Sequence, residues 1–370
     1  MRMSSGKKLK YSIRTTDKIP VDYARARRAY PKLLYIKNGK SSKIIPVDQA
    51  RHTASQMRQF LKKFTFTGTA DGEADRIEVV LINCDWRWMR SWMPKKKDKM
   101  SASIVMKHWK NGETTRAFRC GTFLVDSLGM SGPDLVCTVG ATSIPEASSF
   151  RATERKKSWK KVTLKEIAKK ITARYRMKLV FDGEDFSVGT VEQNEQTDCS
   201  FLTELCHEYN YGIKMFKGKL IIYSKEKYEK KGVVGTITRR MILDFDFNTN
   251  ISGTYTGAKM KYMKADSDEE TIVKVGKGNR WYIVSGDADS IAQARRKALA
   301  AVNRENETAT TLDLTIRGNT RYNETDTVRI RGLYRLSGKY FIDQAIHDID
   351  AESGFTTKLT MHKVQKRVTK

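Results

Sequence analysis

The sequence predicts an α+β, mainly β chain in which a small α+β insert separates two β regions. Three observations predict it: β-rich runs punctuated by Gly/Pro turns before residue 150, a switch to helical periodicity after it, and a return to strict two-residue alternation in the last third. In the first region, 76–82 (RIEVVLI), 101–109 and 118–125 read as strands. The last of these leads through Ser131-Gly-Pro-Asp134 into a returning strand at 135–139, an antiparallel meander. So many strands without helices point to a barrel or sandwich.

In the insert, Thr163-Leu-Lys-Glu166 is a capping-box pattern. Leu164, Ile167, Ala168, Ile171 and Tyr175 then repeat at helical spacing. A second helix is expected from Asp198, with Phe201, Leu202, Leu205, Cys206 and Tyr209 on one face and Gly212 as its stop. A strand at 178–181 and a hairpin, 212–216 with 219–223, complete the insert. In the last region, strands near 255–262, 272–275 and 281–284 precede an Ala- and Arg-rich helix starting near Asp287 or Asp289. Leu312, Leu314 and Ile316, then Val328 and Ile330, then Phe355, Thr357, Leu359 and Met361, alternate with polar residues as in a sheet wet on one side.

The 370 residues suit two or three domains. Their 39% hydrophobic and 9% aromatic content supports packed cores. No run approaches the ~20 apolar residues of a membrane span, and the basic N-terminus lacks the apolar core of a signal peptide. A chain without a membrane anchor, made in the cytoplasm, is expected. Five scattered cysteines without a C-x-x-C read as reduced, mostly buried thiols.

Seventy Lys and Arg against 42 Asp and Glu give a net charge of +28. Such a balance suggests a polyanionic or acidic partner. The charge concentrates in residues 1–45, in Lys95, Lys96 and Lys97, and around Arg155, Lys156 and Lys157; Asp266–Glu270 is the acidic counter-patch. The two later clusters are candidate contacts for polyanion or acidic protein. No zinc-finger, helix-turn-helix or RNA-recognition signature accompanies them. The alternative function is therefore charge-driven nucleic-acid binding without base reading.

No motif for catalysis stands out. Asn38-Gly-Lys-Ser-Ser42 lacks a P-loop's first glycine, since that place is Leu34. Gly276-Lys-Gly-Asn279 reads as a turn. The five histidines show no ligand spacing, and the neighbours Cys206 and His207 diverge on a helix, one to the core and one to the surface. Glu184-Asp185 and Glu192 with Glu195 read as solvated turn carboxylates, and no nucleophile elbow occurs. No enzymatic activity, metal or cofactor is expected. Trp86, Trp88 and Trp92, three tryptophans in seven residues, either close one end of the β core or anchor a neighbouring subunit; the second is favoured.

The order of certain segments is familiar. Phe64-Thr-Phe-Thr67, Gly72 through Leu81, Pro94 with Ser101-Ala-Ser-Ile104, Gly121 through Asp126 and Val139-Gly-Ala-Thr-Ser-Ile-Pro145 lie in the first region. Trp159, Leu164 through Ala168, Leu179-Val-Phe-Asp182 and Asp198 through Gly212 follow in the insert, and Gly338-Lys-Tyr-Phe-Ile342, His347 and Gly354 through Leu359 end the series. Together they resemble the late control gene D group of phage baseplate hub proteins, related to the hub of contractile tails and to the hub portion of type VI secretion spike proteins.

That resemblance implies two barrel-like tube domains, 1–148 (with the basic N-terminal segment) and 241–370, flanking an α+β domain at 149–240. It implies a homotrimer acting as a symmetry adaptor between a sixfold tail tube protein and a threefold central spike protein, enclosing a channel. The place implied is the baseplate of a virion or tail-like particle assembled in the bacterial cytoplasm. A trimer's charge makes tape-measure protein or lumenal DNA further expected partners, and any spike or cell-wall-degrading activity is expected on other chains.

Overall fold

The computed structural model describes residues 27–36, 61–84, 86–90, 93–95, 98–109, 115–143, 149–216, 218–250, 254–263 and 270–369. The first region contributes β1 (Arg28–Ile36), β2 (Leu61–Thr69), β3 (Arg76–Ile82), β4 (Lys99–Lys107), β5 (Thr115–Ser131) and β6 (Val136–Thr142). Alternation decides their faces. Phe64 and Phe66 of β2, Ile77, Val79 and Leu81 of β3, and Met100, Ala102 and Ile104 of β4 point into one core.

The middle region follows as α1 (Ser149–Ala152), β7 (Glu154–Thr163), α2 (Leu164–Arg174), β8 (Lys178–Asp182), β9 (Ser187–Thr197), α3 (Asp198–Glu208), β10 (Tyr211–Phe216), β11 (Lys219–Ser224) and α4 (Lys225–Glu229). The capping box forms as expected: Thr163 Oγ1 accepts from Glu166 N at 3.2 Å, and Glu166 Oε2 accepts from Thr163 N at 2.9 Å. The expected stripes of α2 and α3 are buried in one core with Trp159, Ile213 and Ile222. The hairpin β10–β11 pairs in the expected register, and β8 adds to β11 in parallel.

The last region holds β12 (Gly235–Thr238), β13 (Ile242–Thr249), β14 (Gly257–Met263), β15 (Glu270–Gly276), β16 (Trp281–Ser285), α5 (Ile291–Thr308), β17 (Thr310–Arg317), β18 (Thr327–Arg331), β19 (Gly338–Asp350) and β20 (Gly354–Lys363). The sequence reading counts β14 to β16 with the final β region. The structure instead sets them apart as a three-stranded sheet, β15-β14-β16. With α5 this sheet encloses its own core of Ala258, Met260, Val273, Val275, Ala294, Ala298 and Val302.

The two outer regions are not separate sheets. Twelve strands make one sheet, whose main path runs β1-β4-β5-β6-β3-β2-β19-β20-β17-β13, with β18 and β12 joined through β19. The seam is the antiparallel pairing of β2 with the second half of β19, Thr65 opposite Asp348 and Thr67 opposite Ile346. β19 serves both cores. Tyr340 and Ile342 enter the core of the last region, and a bulge between Ile342 and Gln344 shifts the alternation. Beyond it Ala345 still faces that core, while Ile349 enters the first.

Candidate assembly surfaces

Both ends of the ten-strand main path are open among the described residues. β1 pairs with β4 and β13 with β17, and neither pairs with a second strand. An open edge offers a row of N–H and C=O groups to another chain. The edges differ in charge. β1 turns Leu33 and Tyr35 inward and exposes Arg28 and Lys32. Pro31, which has no N–H to offer, sits in its middle. β13 exposes Asp244 and Asp246, with Asp246 directly opposite Asp313 of β17. It also leaves Leu243 55% and Phe245 40% exposed.

Trp86 and Trp88 differ in burial. A 3-10 turn at Arg87–Met89 interrupts the alternation that would put Trp86 and Trp88 on one side. Trp88 is 2% exposed and belongs to the first core, its main-chain N–H donating to Asn83 Oδ1 at 3.1 Å. Its ring helps to fill that core, which is the first of the two readings the sequence allowed. Trp86 is exposed, as are Met89 and Met93 nearby. Trp92 lies outside the described residues, as do Lys96 and Lys97. Lys95 is exposed, and its main-chain N–H donates to Asp98 Oδ2 at 2.9 Å, pinning the loop to β4. Tyr35 donates to the same oxygen.

The Arg155 cluster lies in the middle region, on β7. Arg155 Nε is 3.3 Å from Oδ2 of Asp198, which is fully buried. Arg174 and Tyr175 reach that oxygen too, and Gln193 donates to Oδ1 at 2.9 Å. Burial pushes this carboxyl up, but the hydrogen bonds from Tyr175, Gln193 and Arg174 hold it below the usual range. Arg155 is thus tied into the fold, whereas Lys156 and Lys157 are exposed.

Sequence reasoning missed a buried charge network where the middle region meets the others. Lys214 of β10, 6% exposed at its side chain, bonds Asp75 Oδ1 at 2.8 Å, Glu324 and the carbonyl of Thr69. Burial, with the Glu324 charge nearby, lifts Asp75 to about 6 against the pull of Lys214. A longer chain of charges runs alongside. Asp71 meets His207 at 3.0 Å and Lys225 at 2.9 Å; Lys225 lies 3.6 Å from Glu307. Arg367 links Glu307 at 2.8 Å to Glu229, and His362 joins Glu229 at 3.4 Å and Asp343 at 2.8 Å. His362 is raised to about 10: burial disfavours its charge, but Asp343 and Glu229 outweigh it. His207, expected at the surface, is a member of this chain. No local pattern marks these residues, because their partners lie far off in sequence. Among the described residues no three His, Cys, Asp or Glu side chains could hold a metal ion, and no helix is long and apolar enough to cross a membrane.

The sequence matches no protein-family model, and no curated protein resembles it in sequence. The fold, by contrast, is shared with phage and prophage tail proteins and with type VI secretion proteins. A tail protein from Neisseria meningitidis superposes with TM-score 0.63 at 12% identity, covering 90% of this chain and 96% of that one. A 43 kDa tail protein of prophage MuSo2 from Shewanella oneidensis gives 0.64 at 12% identity, with 90% and 98% covered. A type VI secretion component from E. coli, described as similar in structure to bacteriophage T4 tail proteins, gives 0.53 at 11% identity, with 84% and 75% covered. At such low identity the likeness shows the fold alone: this chain shares the architecture of these proteins.

Proposed function

We propose that this chain is the structural hub of a contractile tail or phage-tail-like particle: a homotrimeric adaptor between a sixfold tube and a threefold spike, enclosing the central channel. The observation that carries the reading is the end-to-end correspondence with two tail proteins, 96% and 98% of whose lengths are covered. In this reading the chain divides at about 148 and 240, and its outer regions act as two barrel-like tube domains, six per ring.

The open edges favour ring closure. Acidic β13 of one copy and basic β1 of the next match in charge, and Phe245, opposite Leu314 but 40% exposed, would extend the apolar layer of Leu33 and Tyr35. A contact between two different edges is head-to-tail, so it closes into a ring or runs on as a filament. Trp86, Met89 and Met93 supply a further apolar contact for a neighbouring subunit or the spike. The role is structural, without catalysis.

The test is the solution mass of the full chain by light scattering, alone and with tube and spike proteins. A species of three times the 42.4 kDa chain supports the reading. Asp244→Lys with Asp246→Lys should return it to the monomer mass. A chain that stays monomeric and joins neither partner overturns it.

A further inference from the structure

The span from Arg155 to Arg176 holds ten Lys and Arg and one carboxylate, Glu166, so about a third of the chain's +28 sits in 22 residues. The fold brings strand and helix charges close together. α2 follows β7 directly and turns Leu164, Ile167, Ala168 and Ile171 to the core. Helical geometry therefore sends Lys165, Lys169, Lys170 and Arg174 outward. Trp159 ties strand to helix: Lys157 Nζ lies 3.8 Å and Lys170 Nζ 5.9 Å from the same ring centroid. Arg155 and Arg174 likewise converge on one oxygen of Asp198.

A bulge adds to the display. Trp159 pairs with Val191 and Val162 with Gly189, leaving Lys160 and Lys161 opposite the single residue Thr190. Lys161 adopts a φ of 51°, and both lysines are exposed. Glu166 is turned back onto the main-chain N–H of Thr163, and Asp185 accepts from Thr163 Oγ1 and Lys165 N, so both are engaged at the helix start, while Glu192 of β9 lies opposite Ser158.

What the surface lacks decides its partner. Trp159 is buried, and none of the large exposed hydrophobic side chains among the described residues falls between 155 and 176. Protein interfaces are depleted in lysine and depend on aromatic or aliphatic anchors. Single-strand binding needs aromatic rings open for stacking. Phosphate contacts along a duplex need neither. We infer that the β7–α2 surface binds the phosphate backbone of duplex nucleic acid without reading bases. This inference goes beyond the hub reading and does not depend on trimer formation.

The experiment measures binding of the full chain to a mixed-sequence DNA duplex across a salt series by fluorescence anisotropy. Three proteins are compared: the unaltered chain, Lys156→Gln/Lys157→Gln/Lys160→Gln/Lys161→Gln, and a charge-matched control with Lys219, Lys259, Lys274 and Lys277 changed to Gln. The expected result is tight binding at low salt by the first and third proteins. The surface variant should bind at least ~10-fold more weakly, with a log–log salt slope shallower by up to about 4, at roughly 0.9 for each phosphate no longer neutralised. Melting temperatures check that each variant folds; should the strand variant not, Lys165→Gln/Lys169→Gln/Lys170→Gln tests the same surface from the helix. No duplex binding by the unaltered chain, or an equal fall in surface variant and control, overturns the inference. Displacement of the duplex by polyglutamate at matched charge would also overturn it, in favour of an acidic protein partner.

Discussion

The two junctions of this molecule are built from opposite materials. The outer regions meet through main chain, β2 on β19, with Phe66 stacked on His347 beneath the seam. The middle region meets them mainly through buried side-chain charges, with only a small apolar cluster of Ala70, Tyr223 and Phe341 beside them. A ladder of peptide hydrogen bonds is indifferent to pH and tolerant of side-chain change. A charge network is exacting about geometry, and losing one partner leaves another buried and unpaired. The seam's ladder thus fixes the frame and answers to pH only through side chains such as His347, while the middle region is held by charges throughout.

The contrast can be broken most sharply at Lys214. Lys214→Ala strands Asp75 and Glu324 and is expected to cost about 3–5 kcal/mol in urea unfolding. Lys214→Met with Asp75→Asn and Glu324→Gln should recover most of that loss. A cost for the single change within experimental error of zero would deny the network its role.

The two buried histidines sharpen the contrast next. His362, raised to about 10 from 6.5, is protonated in the fold. Its contribution is complete below pH 6.5 and is lost as pH rises towards 10. His347, lowered by burial from 6.5 to about 4, is neutral in the fold. Its contribution is complete above pH 6.5 and is lost as pH falls towards 4. NMR titration should find the two on opposite sides of neutrality. His362→Gln should flatten the alkaline limb of the stability profile and His347→Phe the acid limb; a shared midpoint for the two rings would erase the distinction between the junctions.

The smallest effect belongs inside the middle region. Thr163→Ala removes one half of the capping box and should cost about 1 kcal/mol, without altering either pH limb.

What could be read from the sequence follows the range of the interaction. The capping box, both helical stripes and the β10–β11 hairpin depend on neighbours a few residues apart, and each is legible. The mainly β character is legible for the same reason. The seam pairs Thr65 with Asp348 across most of the chain, and no local period encodes that register. Nor does alternation say which sheet a strand joins, so β14 to β16 read like members of the last region although they form their own core with α5. The tryptophan segment is hard to read because a count of aromatics does not say which of them a 3-10 turn will place in the core, as it does Trp88. Lys214 reads as one more lysine in a hairpin, since its burial comes from carboxylates contributed by both other regions.

β19 belongs to both cores at once, and that has a mechanical consequence. Tension drawn between the outer regions along this strand would strain the rows of bonds to β2, β18 and β20 sideways and together, instead of peeling them apart singly. Slip would then require many bonds to fail in concert.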